Sequence, residues 1–277
     1  GPAAAAAGVG GAKRPVLAGI SKSEMVGAKY GGTLRVILYR AMPNLSPTQT
    51  APDGEETLQG MFSKMLTWDR FNPQVSVPDL ATSWSVNDTG DVFTFKLRDD
   101  VKWHDGVPFT AADVKATYDY STELWREFGQ GRRWGGFVDD VYDSSRVVDD
   151  YTIEVTLKFP FADFIGLISS SQLRIAPKHK IDDFMGLPEF TPMFNNTDLP
   201  PTGTGPFKFE SWDQGIGSES VRYDDYHNTY EGKQLPFLDG YQGTVLVDKA
   251  VQLAAFAANR VDVWPVFPTL STDEKDR

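Results

Sequence analysis

Apolar and polar residues alternate over 92–98. Phe93, Phe95 and Leu97 fall between Thr94, Lys96 and Arg98, a period of two that predicts a strand with one buried face. Turn chemistry over 84–92, centred on Asn87-Asp88-Thr89-Gly90, joins it to a preceding strand as a hairpin. Residues 151–157 alternate in the same way, and Phe159-Pro160-Phe161 ends that strand. Residues 33–39 are instead apolar and β-branched on both faces, as a strand buried inside an α/β sheet is. Further strands are predicted over 207–210, 244–247 and 261–263.

Helical spacing appears in three places. Leu58, Met61, Phe62, Met65 and Leu66 predict a helix of about 12 residues from Glu55 to near Thr67-Trp68, with Gly60 as a mild cost. Thr110 with Asp113 three positions on resembles a capping box, and Val114, Tyr118, Ser121 and Trp125 continue that helix. Asp248 is a candidate N-cap for a helix over 250–258. Between these, residues 125–142 mix aromatics, arginines and glycines as an ordered surface loop does, and 186–206 form a Pro/Gly-rich connection.

Composition narrows the class. The chain has 277 residues, 40% of them hydrophobic, enough to bury a substantial core in one large domain or two modest ones. A formal charge of −11 disfavours nucleic acid and anionic membrane as main partners. No apolar run approaches the roughly 20 residues of a transmembrane helix. The absence of cysteine excludes disulfides and thiolate metal sites. Residues 1 to about 29 are Ala/Gly-rich behind a Gly-Pro that resembles a cleavage remnant, and are read as a flexible tail.

Candidate chemistry is sparse. His104, His179 and His227 include no pair at helical ligand spacing, so no metal site is expected, and nothing asks for a cofactor. Trp103-His104-Asp105-Gly106 reads either as a turn or as a fragment of catalytic machinery. Gly215-Ile216-Gly217-Ser218 lacks the second glycine of a nucleophile elbow. Thr202-Gly203-Thr204-Gly205-Pro206 lacks the lysine and following helix of a phosphate loop, and is read as a tight turn. The acidic pairs Asp139-Asp140, Asp149-Asp150, Asp182-Asp183 and Asp224-Asp225 are read as solvated, with glycosidic acid/base work as the alternative. Asn87-Asp88-Thr89 and Asn195-Asn196-Thr197 match glycosylation sequons. Trp134, between Arg132-Arg133 and Gly135-Gly136, is either a stacking surface for a ligand or a closure of the core edge.

Taken in order, several short blocks resemble the extracellular solute-binding proteins of ABC importers, in the family of dipeptide, oligopeptide, nickel and some oligosaccharide receptors. They are Gly31-Gly32-Thr33-Leu34-Arg35-Val36, then Leu45-Ser46-Pro47, where serine replaces the family's usual aspartate, and Val77-Pro78-Asp79-Leu80-Ala81-Thr82-Ser83-Trp84. The most specific runs from Phe95-Lys96-Leu97-Arg98 through Val101-Lys102-Trp103-His104-Asp105-Gly106 to Thr110-Ala111-Ala112-Asp113-Val114. Gly203-Thr204-Gly205-Pro206-Phe207, Leu238-Asp239-Gly240 and Asn259-Arg260-Val261-Asp262-Val263 follow.

The resemblance implies a periplasmic-binding-protein-like α/β fold, class II, of the large type with an extra subdomain. It implies two hinged lobes around a ligand cleft in a chain about twice this length, so most of the second lobe is absent here. It divides the chain into a tail (1–29), first-lobe core (30–48 and 170–264), inserted subdomain (49–169) and the start of a crossing to the second lobe (265–277). The Trp103-His104-Asp105-Gly106 block becomes a structural turn. Arg40, Ala41 and Met42 become first-lobe ligand contacts and Trp134 an aromatic wall. The implied protein is a monomeric, non-enzymatic receptor outside the cytoplasmic membrane, free or lipid-anchored, that delivers an oligopeptide or oligosaccharide to permease subunits. A sensor domain of a regulator and a carboxylate-pair glycosidase are the readings from other classes.

Overall fold

The computed structural model describes residues 28–41, 45–47, 58, 60–69, 72, 74–128, 140–170, 173–185 and 200–263. Two four-stranded sheets organise them, the first beginning at Thr33–Leu38 and the second at Ala81–Val86.

In the second sheet, β4 (Ala81–Val86) and β5 (Val92–Leu97) form the expected hairpin. Asn87 holds its turn, its side-chain oxygen accepting the N–H groups of Gly90, Asp91 and Val92. The sheet is completed by β6 (Tyr142–Asp149) and β7 (Thr152–Leu157). Phe93, Phe95, Leu97, Ile153, Val155 and Leu157 are buried, so one face of this antiparallel sheet is dry. It packs against α1 (Ala111–Phe128), which starts at the predicted capping box: the Asp113 carboxylate accepts the Thr110 N–H at 2.8 Å. The other Asp113 oxygen accepts the N–H of Lys178, the first residue of α3 (Lys178–Met185), also at 2.8 Å. One buried carboxylate therefore secures the starts of two helices, and burial pushes its pKa up despite these donors.

The β2 (Leu66–Trp68) and β3 (Ser76–Pro78) ribbon and the short α2 (Phe164–Ile168) flank this layer. Helix α1 serves both cores: Tyr118 packs with Phe95 and Trp103, while Tyr120 packs with Leu38, Leu58 and Met61.

The first sheet contains β1 (Thr33–Leu38), β8 (Phe207–Asp213), β9 (Gly217–Arg222) and β12 (Gly240–Val245). A small β10 (Thr229–Tyr230) and β11 (Lys233–Gln234) ribbon lies between the last two. Strand β1 runs parallel to β12 over its whole length, from Thr33↔Gly240 to Leu38↔Val245, and Val263 bridges its other side at Val36 in parallel. Helix α4 (Lys249–Ala257) makes the crossover. Asp248 caps it as expected, accepting the Val251 N–H at 3.0 Å, and Asn259 in the left-handed region (φ 54°) ends it.

The crossover is locked by Arg35, whose Nη2 and Nε donate to Asp262 at 2.7 and 3.0 Å while its backbone N–H donates at 2.9 Å. These bonds hold the Asp262 carboxyl at about 2, below its ordinary 3.8. A depressed carboxylate stabilises above its unfolded pKa and loses that contribution as pH falls through the folded value. Asp262→Asn is therefore expected to lower Tm at pH 7 and to match the parent only at about pH 1, below the folded value of about 2. Thermal melts at both pH values check this, and an equal deficit at both would exclude the ion pair as the source.

Four expectations are corrected. Helical residues near 58 end at Met61, and Leu66 to Trp68 form β2. The reason is long-range: the Lys64 N–H is taken by the Asp79 carboxylate, and the Lys64 and Met65 carbonyls accept Leu80 and Ala81. Residues 125–128 continue α1 and do not belong to a loop. Strand β6 lies in a stretch that had no predicted element, and α1 packs against it. Strand β12 begins at Gly240 and ends at Val245, because its register follows β1 and not its own apolar pattern.

Candidate functional site

Parallel strands end together, and where a crossover carries the chain from one side of a strand to the other their carboxyl ends leave an open crevice. Here β1 is that strand, with β12 on one side and Val263 on the other. The ladder continues one step past the sheet, the Leu246 N–H donating to the Leu38 carbonyl at 2.9 Å. Tyr39 is half-buried at the mouth, Arg40 and Ala41 are exposed, and the Arg40 guanidinium lies 5.4 Å from the centroid of the Tyr39 ring. That stacking presents a cation on an aromatic support. Across the crest stand Val247 (73% exposed), Val251 at the start of α4, and Ile216 in the β8–β9 turn, whose carbonyl accepts the Val245 N–H at 2.8 Å.

The crest thus combines an exposed guanidinium, the end of a parallel strand and an apolar rim. It can pair a carboxylate and receive an extended chain. Of the residues expected to contact ligand, Arg40 and Ala41 stand here, and Met42 and Trp134 lie outside the described residues. The rim residues were missed. The signal for Val251 was the run from Ala250 to Ala258, which carries no charge between Lys249 and Arg260; Val247 and Ile216 lie outside it.

The histidine turn lies elsewhere and has no catalytic geometry. His104 is held between backbone groups, its Nε2 2.9 Å from the Gly205 carbonyl and its Nδ1 3.2 Å from the Gly203 N–H, while Asp105 meets His179 at 2.8 Å. The Gly203 segment is a buried strap packed on Met61, not a hydrogen-bonded tight turn. Gly215 and Ile216 lie in the turn into β9, and Gly217 and Ser218 are its first residues. Asp140, Asp149, Asp150, Asp182, Asp183, Asp224 and Asp225 are all exposed. Among the described residues no group of three His, Cys, Asp or Glu side chains is placed to hold a metal ion. No described helix is long and apolar enough to cross a membrane.

Residues 76–277 match the bacterial extracellular solute-binding proteins, family 5 Middle, and the chain belongs to that family. It is 28% identical over 203 residues to the dipeptide-binding protein of Escherichia coli, a match covering 68% of this chain and 36% of the relative. The structure of the oligopeptide-binding protein AppA from Bacillus subtilis, in complex with a nonapeptide, superposes with a TM-score of 0.71 at 26% identity, covering 86% of this chain and 45% of the other. The Helicobacter pylori periplasmic binding protein DppA, in complex with the peptide STSA, shares the fold at a TM-score of 0.74 and 22% identity, covering 90% and 49%. The match therefore spans about a third of the curated relative and just under half of the two solved chains. The fold is that of the periplasmic binding proteins of this family. These relatives are binding proteins and not enzymes.

Proposed function

We propose that this chain carries most of the first lobe of an extracytoplasmic substrate-binding component of an ABC transporter, one that captures a peptide-like solute and delivers it to permease subunits in the membrane. The observation that carries the reading is the solvent-exposed position of Arg40 and Ala41 at the switch point of a family 5 fold. In this reading the sheet containing β1 and β12 is the lobe core, residues 30–48 and 170–264. Residues 49–169, with the β4-β5-β7-β6 sheet, are the inserted subdomain. Residues 1–29 are a tail suited to a lipid tether, and 265–277 begin the crossing to a second lobe.

Arg40 pairs with a carboxylate of the solute, and the backbone after β1 takes an extended peptide by strand addition. Met42 and Trp134 complete the wall. The chain contributes binding and no catalysis, and affinity comes from closure of the second lobe over the crest.

The test is a thermal-shift screen of the full-length protein against peptide and oligosaccharide libraries. Peptides alone are expected to raise Tm, and Arg40→Ala is expected to weaken the best peptide about 10- to 100-fold, the loss of a charge-assisted hydrogen bond. Residues 1–277 alone are expected to bind that peptide far more weakly, one wall of the cleft being absent. A shift from oligosaccharides only would replace the peptide reading, and an Arg40→Ala variant of unchanged affinity would remove Arg40 from the site.

A further inference from the structure

Outside the crest, a second cluster of side chains ties the two sheets together. The turn after β5, which leads into α1, lies against the strap 202–206, which leads into β8. Three contacts join them, and a fourth reaches the turn from Tyr223, which follows β9. The His104 N–H donates to the Gly203 carbonyl at 2.8 Å, and the Gly203 N–H returns to His104 Nδ1 at 3.2 Å. His104 Nε2 meets the Gly205 carbonyl at 2.9 Å, and the Tyr223 hydroxyl donates to the Trp103 carbonyl at 3.2 Å.

The two ring contacts demand opposite roles. Nδ1 faces an N–H and must accept, whereas Nε2 faces a carbonyl and must donate, so only the neutral Nε2–H tautomer satisfies both. Protonation would set Nδ1–H against the Gly203 N–H. The strap is seated on the backbone at 60–61, the Gly205 N–H donating to the Met61 carbonyl at 2.9 Å and a Cβ on Gly203 falling 1.8 Å from that same oxygen, so the repulsion bears on a fixed partner.

We propose that His104 is an acid-released clip, holding the turn of the β4-β5-β7-β6 unit to the strap entering β8 while its ring is neutral and releasing the joint when the ring is protonated. The clip is independent of the ligand reading.

The charged and titratable groups facing the ring come from several elements. Asp105 beside it favours the cation, and Lys208 of β8 opposes it. The Tyr223 ring stands edge-on at 4.9 Å, and His179 of α3 occupies the Asp105 carboxylate from the far side. Burial dominates and, against the Gly205 carbonyl, lowers the ring's pKa from 6.5 to about 4. A group whose folded pKa is depressed stabilises above its unfolded pKa and loses that contribution as pH falls through the folded value. The window is therefore pH 6.5 down to about 4, and over it the ring shifts the balance toward the opened state by about 300-fold.

The test is a titration of the protein labelled with 15N-histidine, followed by long-range 1H–15N spectra, with His104 assigned by its loss in His104→Asn. The expected result is an unprotonated Nδ1 and a protonated Nε2 at pH 7, a titration midpoint near 4, and amide exchange at Gly203 and Gly205, relative to its intrinsic rate, rising as pH falls from 6.5 to about 4 ahead of the β7 amides. A midpoint near 6.5, a proton on Nδ1 at pH 7, or exchange rising together at Gly203 and in β7 would overturn the clip. Should His104→Asn fail to fold, assignment by ring-to-Tyr223 contacts in the parent protein leaves all three readouts in place.

Discussion

Gly203→Ala is expected to destabilise the protein by more than about 4 kcal/mol, measured by chemical denaturation, and to leave little folded protein in the cell. The new methyl would lie 1.8 Å from the Met61 carbonyl oxygen, 2.7 Å from its carbon and 3.2 Å from the Phe62 ring. The first two are backbone atoms and cannot rotate away. The obstructed residue sits at the base of a core containing Leu38, Leu58, Met61 and Tyr120, so relief by backbone movement would open packing around α1 and β1 together. Two other glycines isolate the cause. Gly166 in α2 has open space around its would-be Cβ, and Gly166→Ala is expected to be neutral or to gain about 0.5–1 kcal/mol. Gly32 also has open space but sits at φ +82°, and Gly32→Ala is expected to cost about 1 kcal/mol through strain alone. A Gly203→Ala variant within 1 kcal/mol of the parent would mean that the strap is not seated on Met61 in solution.

Trp103→Ala is expected to cost about 3–5 kcal/mol, the range for deleting a large buried aromatic ring. Its side chain is fully buried in the core formed by β5, β7 and α1, with the indole edge-on to Phe109 at 6.1 Å between centroids. The indole N–H approaches the Asp113 carboxylate closely enough to favour its charged form but does not reach hydrogen-bond geometry. Trp103→Phe therefore gives up volume and little else, and about 1–2 kcal/mol is expected. Urea titrations of both variants check the ranking. A phenylalanine variant as unstable as the alanine one would show that the N–H, and not the ring, carries the contribution.

Both residues lie in blocks on which the family resemblance rested, yet their roles were legible to different degrees. Trp103 reads from the sequence as part of a turn, and its full burial against Phe109 is decided by the packing of that turn on β5, β7 and α1. The role of Gly203 was not legible at all, because nothing near it in sequence says that Met61 will be its neighbour. His104 is like Trp103. Its turn was readable from Asp105-Gly106, and the family resemblance removed it from catalysis. That its ring would bridge Gly203 and Gly205 required the strap to be in place. The candidate site divides in the same way: the strand end that delivers Arg40 and Ala41 was expected, but Val247, Val251 and Ile216 opposite them were not.

What the sequence by itself determined is what neighbours in the chain decide. The hairpin of β4 and β5, the Thr110–Asp113 start of α1, the Asp248 cap of α4 and the apolar β1 depend on periods of two or three to four residues and on side chains reaching their own backbone. Tertiary structure alone decided that residues after Met61 leave the helix, that β12 takes its register from β1, and that the strap at Gly203 closes the joint between the sheets. In each case a backbone hydrogen bond or a steric limit imposed from far along the chain outweighed a local preference. Such preferences amount to at most about 1 kcal/mol per residue outside proline, less than the cost of a buried backbone group left unpaired.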